Sequence, residues 1–177
     1  MATYRPAKAA RHRDAATQQV LTFELGNAMY GFDILRVREI RGWTAVTKIP
    51  RAAAEVLGIL NLRGSIVPVV DLRTRFALER TEYTPLTVII VVSVQSQAGR
   101  NEVGVVVDGV SDVLDINAAD IKQPPDLGAS CATDYIRGFV SAGERMTMLL
   151  DIDRLIGTEV AALSADQQGL APAIEAA

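Results

Sequence analysis

GILNLRGSIVPVVDLRTRF, residues 58–76, holds two apolar runs parted by a cation and a glycine, Arg63-Gly64. Such a break between runs that otherwise suit a core predicts a tight turn whose side chains face outward. After it, SIVPVVDL (65–72) is rich in β-branched residues and ends at an aspartate, the pattern of a strand. Pro68 has no N–H to donate to a ladder, which predicts an edge position or a bulge. DLRTRFAL (71–78) opens on an aspartate able to cap a short helix.

Outward from this stretch the same signal recurs. VLTFEL (20–25), MYGFDI (29–34), TVIIVVSV (87–94), VGVVVD (103–108), YIRGFV (135–140) and MTMLLDI (146–152) all read as short strands bounded by Gly, Asn, Asp or Pro. Brief helices are predicted at PRAAAEVL (50–57), where Pro opens a first turn, at DIDRLI (151–156), and over EVAALSAD (159–166). The fold class is mainly β with a few short helices.

An internal repeat organises these strands. YGFDILRVREI (30–40) aligns with VGVVVDGVSDV (103–113), matching Gly31 to Gly104 and Glu39 to Asp112 at an offset of 73. Farther on, Arg63 is matched to Arg137 at 74 and Asp71 to Asp151 at 80, which predicts a six-residue insertion around Ser141–Arg145. Two units of about 75 residues cannot each bury much apolar area, so they are expected to share a core and leave a groove where they meet. Residues 1–18 and 158–177 are expected to be a flexible N-terminal tail and a C-terminal helix or tail, around a domain at 19–157 with halves 19–82 and 83–157.

Composition narrows the function. Eighteen basic against 21 acidic residues, a net charge of −3, supply no cationic field for a phosphate backbone, and nine aromatics in 177 residues offer few stacking platforms. A small nucleic-acid-binding barrel is therefore the weaker alternative. One cysteine, Cys131, allows no internal disulfide. The apolar run at 86–94 falls short of the roughly 20 residues of a spanning helix, and no apolar stretch follows the N-terminal charges, so a cytoplasmic protein is expected. Fifteen of the 18 basic residues are arginines, the fork-shaped cation favoured at protein interfaces, although codon bias also accounts for such a skew.

Catalytic material is scarce. His12 is the single histidine and falls in the expected tail, so neither Cys131 nor Ser65 has a base to activate it. Asp108, Asp112 and Asp115 lack the loop of a calcium site and read as residues flanking turns. No phosphate-binding glycine motif occurs. A binding protein without enzymatic activity, metal or cofactor is expected.

YGFDILRVREIRGW (30–43), GILNLRGSIVPVVDLR (58–73) and VGVVVDGVSDVLDI (103–116) together resemble the three signature segments of the CheW family, the coupling proteins of bacterial chemotaxis. With YIRGFV and the LLDIDRLI ending, the resemblance covers Val20–Ile156. It implies two five-stranded SH3-like β-barrels sharing a hydrophobic core. It also implies an adaptor that joins the regulatory domain of the histidine kinase CheA to the cytoplasmic tips of transmembrane methyl-accepting chemoreceptors. Neither nucleic acid nor membrane insertion is implied, and recruitment to membrane-associated receptor arrays is. With 177 residues the stand-alone coupler is expected, since no length is left for a kinase, phosphotransfer or receiver domain.

By the same resemblance Asn61, Arg63 and Gly64 hold a cation beside the receptor-binding surface, with Gly58 and Gly64 taking backbone angles that a side chain would obstruct. Val37, Glu39, Ile40, Val110 and Val113 match positions of receptor or kinase contact. An extended segment would place Val37 and Glu39 on one face and Ile40 on the other. Trp43 stands as an interface anchor or as packing, the valines as contacts or as core, and Arg63 as a contact or as a pin for its own turn. The polar loop SVQSQAGRNE (93–102) is longer than the family's shortest hairpins.

Overall fold

The computed structural model describes residues 17–79, 82–97, 99–126, 134–157 and Val160. His12, Cys131 and nearly all of the two predicted tails lie outside them. Thr17 and Gln18, assigned to the N-terminal tail, instead begin the first strand. The ten strands are β1 (Thr17–Leu25), β2 (Ala28–Asp33), β3 (Val37–Gly42), β4 (Val56–Leu62), β5 (Ser65–Asp71), β6 (Val88–Ser96), β7 (Gly99–Val107), β8 (Gly109–Asn117), β9 (Ile136–Ala142) and β10 (Arg145–Leu150). Helix α1 (Leu72–Arg75) follows β5, and α2 (152–157) follows β10.

Local chemistry explains the boundaries. Arg63 (φ 52°) and Gly64 (φ 87°) both take left-handed angles, the turn geometry that matches the twist of the flanking strands. Asp71 accepts a hydrogen bond from the Arg73 backbone N–H at 2.9 Å and so starts α1. Asp151 starts α2 in the same way, accepting from Asp153 and Arg154 N–H groups at 3.1 and 3.2 Å. The helix predicted over 50–57 does not form. Arg51 takes φ 60°, which breaks a right-handed helix, and Val56 is drawn into β4 opposite Val70. Segments 37–42, 56–62 and 109–117 are strands that sequence patterning alone did not separate.

The strands form two five-stranded sheets, ordered β8-β1-β2-β10-β9 and β3-β6-β7-β5-β4. Neither sheet follows the halves 19–82 and 83–157. The first takes β1 and β2 from the first half and three strands from the second; the second takes three from the first half and β6 and β7 from the second. The cause lies at two crossovers. β2 runs through a single 3-10 turn (Ile34–Arg36) into β3, and β7 runs into β8 with only Asp108 between them. Neither connection can fold back onto its own sheet, so each repeat lends its leading hairpin to the other. Pro68 is not on an edge strand either. It tolerates an inner strand because the parallel ladder of β5 with β7 begins only at Val69.

The structure also revises the repeat. Gly58 and Gly138 each sit where a Cβ would meet a carbonyl oxygen of a bridging segment, Thr47 and Lys122 respectively, and their spacing of 80 equals that of Asp71 and Asp151. Arg63 therefore corresponds to Gly143 and not Arg137, and no insertion lies at 141–145. The longer hairpin of the second copy is β6–β7, with nine register pairs against six in β1–β2. Single bridges, Thr47 with Ile59 and Lys122 with Phe139, span the gap between the edge strands of each sheet.

The largest apolar cluster draws on both sheets and both helices, including Leu21, Phe23 and Phe32 from one sheet, Ile90, Val92 and Val105 from the other, and Leu72 and Leu155. Smaller clusters fill the opposite faces, Val20, Ile116, Val140 and Leu149 in one sheet and Val69, Ile89 and Val106 in the other. Two ion pairs tie the helices to the crossovers. Arg73 of α1 pairs with Asp108, and Asp153 of α2 pairs with Arg36 at 2.7 Å, equivalent places with the charges reversed. Asp108 also accepts from Gly26 N–H and Asp153 from Gln95 N–H, so each clasp holds a hairpin as well.

Candidate functional site

Sheet β3-β6-β7-β5-β4 has β3 and β4 at its edges, and the side chain of Arg63 crosses between them to pair with Glu39 at 2.9 Å. Asn61 accepts the Gly64 N–H at 2.9 Å and braces the turn that carries Arg63. The guanidinium side chain is nevertheless 85% exposed, while Glu39 is 30% exposed. Arg63 thus has one carboxylate partner and the rest of its donor fork open to solvent.

The predicted alternation along 37–40 is overturned. Val37 stands opposite Val92 and Glu39 opposite Val91, so Arg38 is an extra residue in a β-bulge. Facing residues of an antiparallel pair project to one side, and Ile40 stands opposite Ile90. Val37 and Ile40 therefore share the face that carries the common core, and Glu39 is on the other. Val37 packs against that core, whereas Ile40 reaches its rim and is 44% exposed.

β8 repeats this arrangement. Val110 and Val113 stand opposite Phe23 and Leu21, again across a register shift, with Val110 packed on the common core and Val113 42% exposed. At the offset of 73, Ile40 matches Val113 and Glu39 matches Asp112, so each sheet carries an apolar residue beside an acidic one on an edge strand. Val37 and Val110 are thus partly buried against the core, and Val113 is exposed.

Trp43 packs on the Val69, Ile89 and Val106 cluster and stacks on half-exposed Tyr83 at 3.9 Å between ring centroids, which is the packing reading. Gly58 is required by close approach, since a Cβ there would collide with the Thr47 carbonyl, and its φ is 154°. Gly64 is required only by its angle, because open space surrounds it. Two surface residues escaped the sequence reading. Leu35, in the crossover turn, is 79% exposed, and its place became visible only once ILR proved to be a turn and not a strand. Tyr83 had no periodic neighbour to mark it.

Asp108, Asp112 and Asp115 each serve the fold. Asp108 is in the clasp with Arg73, Asp112 accepts from the Val113 N–H, and Asp115 accepts from Gln19 at 3.0 Å. Among the described residues no cluster of three potential metal ligands occurs, and no helix is long and apolar enough to cross a membrane.

Two packed β-sheets that expose Arg63 on a turn and Ile40 and Val113 on edge strands have the form of a binding scaffold. A model of the CheW-like domain matches residues 19–160. The chain is 46% identical over 146 residues to chemotaxis protein CheW of Klebsiella aerogenes, covering 82% of this chain and 86% of that protein. Against chemotaxis protein CheW of Rhizobium meliloti the identity is 37% over 151 residues, covering 85% and 95%. Among solved structures, the scaffolding protein TtCheW of Thermoanaerobacter tengcongensis superposes with a TM-score of 0.72 at 28% identity, covering 86% of this chain and 96% of that one. This chain belongs to the CheW family of chemotaxis scaffold proteins, which are adaptors and not enzymes.

Proposed function

We propose that this protein couples chemoreceptors to the histidine kinase CheA, holding the cytoplasmic tip of a transmembrane receptor and the regulatory domain of the kinase at once. The observation that carries the reading is the exposed Arg63 fork at the β4–β5 turn, braced by Asn61 and paired to Glu39 across the seam of one sheet. A receptor carboxylate reaching that fork gains charge-assisted hydrogen bonds at a site already ordered. Ile40, Val113 and Trp43 supply apolar area nearby or on the companion sheet, the composition expected of an interface centre.

Both sheets are proposed to act as SH3-like barrels, a reading supported by the single bridge that spans each seam. The protein works in the cytoplasm, gathered at receptor arrays. Its mechanism is geometric: holding the kinase in register against receptors couples a small receptor shift to kinase activity.

Co-sedimentation with receptor-containing membranes and CheA tests this directly. The wild type is expected to recruit and activate the kinase, and Arg63→Asp to lose both while keeping a native circular-dichroism spectrum. Failure of the wild type to recruit kinase rejects the reading.

A further inference from the structure

We propose that the open end of the sheet β3-β6-β7-β5-β4 is a binding site for a small oxyanion of the phosphate or carboxylate class. A cavity of about 360 Å³ opens there, lined by Arg38, Ser65, Val67, Ser93, Arg100 and Glu102 together with Ile66. Three features of the fold converge on it. The β-bulge frees Arg38 from the regular β3 ladder. The β6–β7 register sets Ser93 opposite Glu102, and Arg100 lies two residues from Glu102, so all three share one face. Ser65 begins β5 just after the Arg63-Gly64 turn.

The charges and the hydroxyl both call for a ligand. Arg36, Arg63, Arg73, Arg75, Arg145 and Arg154 pair with carboxylates and Arg137 with the Gln18 amide, whereas the side chains of Arg38 and Arg100, like those of Arg41 and Arg51, have no hydrogen-bond or ion-pair partner among the described residues. With Glu102 in the same cavity the charge is 2 − 1 = +1, suited to an anion. Ser93 is only 2% exposed, and its hydroxyl oxygen is buried without a hydrogen-bond partner. A buried hydroxyl in that state is unfavourable until an acceptor arrives. Guanidinium forks and hydroxyl donors around one small volume match the acceptor-only surface of an oxyanion. The cavity adjoins the Arg63 turn through Ser65 but does not include Arg63, and its test involves neither receptor nor kinase.

Amide chemical shifts of the full chain, titrated with sodium phosphate, sodium acetate and sodium chloride at fixed ionic strength, provide the test. Saturating shifts at Ser65, Ser93, Arg100 and Glu102 with phosphate or acetate, and none that saturate with chloride, are expected; the stronger of the two names the class. Arg38→Gln with Arg100→Gln should weaken binding about tenfold or more, and Ser93→Ala should weaken it with the fold retained. If the double variant does not fold, Arg100→Gln alone serves. Absence of saturating shifts, or a folded arginine variant that binds as tightly as the wild type, overturns the proposal.

Discussion

At the scale of single residues, two glycines of the signature stretch separate backbone angle from crowding. Gly58→Ala places a methyl against the Thr47 carbonyl at an unfavourable φ and should cost about 3 kcal/mol in urea unfolding. Gly64→Ala meets only open space and should cost about 1 kcal/mol. Equal costs would show that the β4 edge can relax away from the bridging segment. Arg63 is the opposite kind of residue. Its pair with Glu39 is largely exposed, so Arg63→Ala should change stability by no more than about 1 kcal/mol. As an interface hot spot the same change should cost about 2 kcal/mol of receptor binding, roughly 30-fold in Kd, measured by titration with a soluble receptor fragment. Unchanged affinity in the folded variant removes Arg63 from the interface.

Between elements, the aromatic side chains form a ladder. Phe23 of β1 stacks on Tyr30 of β2 at 5.9 Å, Tyr30 on Phe76 after α1 at 5.2 Å, and Phe76 on Tyr135 before β9 at 5.3 Å. Burial raises the Tyr30 phenol above its ordinary value of 10.0, with neighbouring Tyr135 adding to the effect. Burial likewise raises Tyr135, partly offset by the Arg75 charge. A phenol whose folded pKa exceeds its unfolded one binds its proton more tightly when folded, so its stabilisation is complete below pH 10 and is lost as pH rises through the folded value. Chemical denaturation compared at pH 8 and above pH 10 should show this alkaline loss, and Tyr30→Phe with Tyr135→Phe should flatten it. Sequence patterning identified β1, β2, β5, β6, β7, β9 and β10. It missed β3, β4 and β8, because one face of each lies at an edge or rim and a bulge interrupts the alternation in β3 and β8.

Across the whole molecule, each sheet is assembled from both repeats, and the dominant core lies between the sheets. Chains cut between 78 and 87 should therefore be largely unfolded as separate halves and recover strand structure when mixed, as read by circular dichroism. A half that folds cooperatively alone would mean that its hairpin can return to its own sheet. The clasps Arg36–Asp153 and Arg73–Asp108 sit at the crossovers and fix where each exchanged hairpin ends.

What the sequence by itself determined was local or repeated. The β class, the outward Arg63-Gly64 turn, the aspartate caps and the twofold repeat all follow from backbone preference and apolar spacing within a few residues. The signature segments carried the resemblance to the family, which the match over residues 19–160 bears out, and the candidate site residues rest on that resemblance. Only the tertiary structure decided which strands share a sheet, that Val37 and Ile40 face together while Glu39 turns away, and that Glu39 meets Arg63. Those outcomes depend on crossover direction and on a one-residue bulge, and a shift of one residue exchanges the faces of a strand without changing its composition.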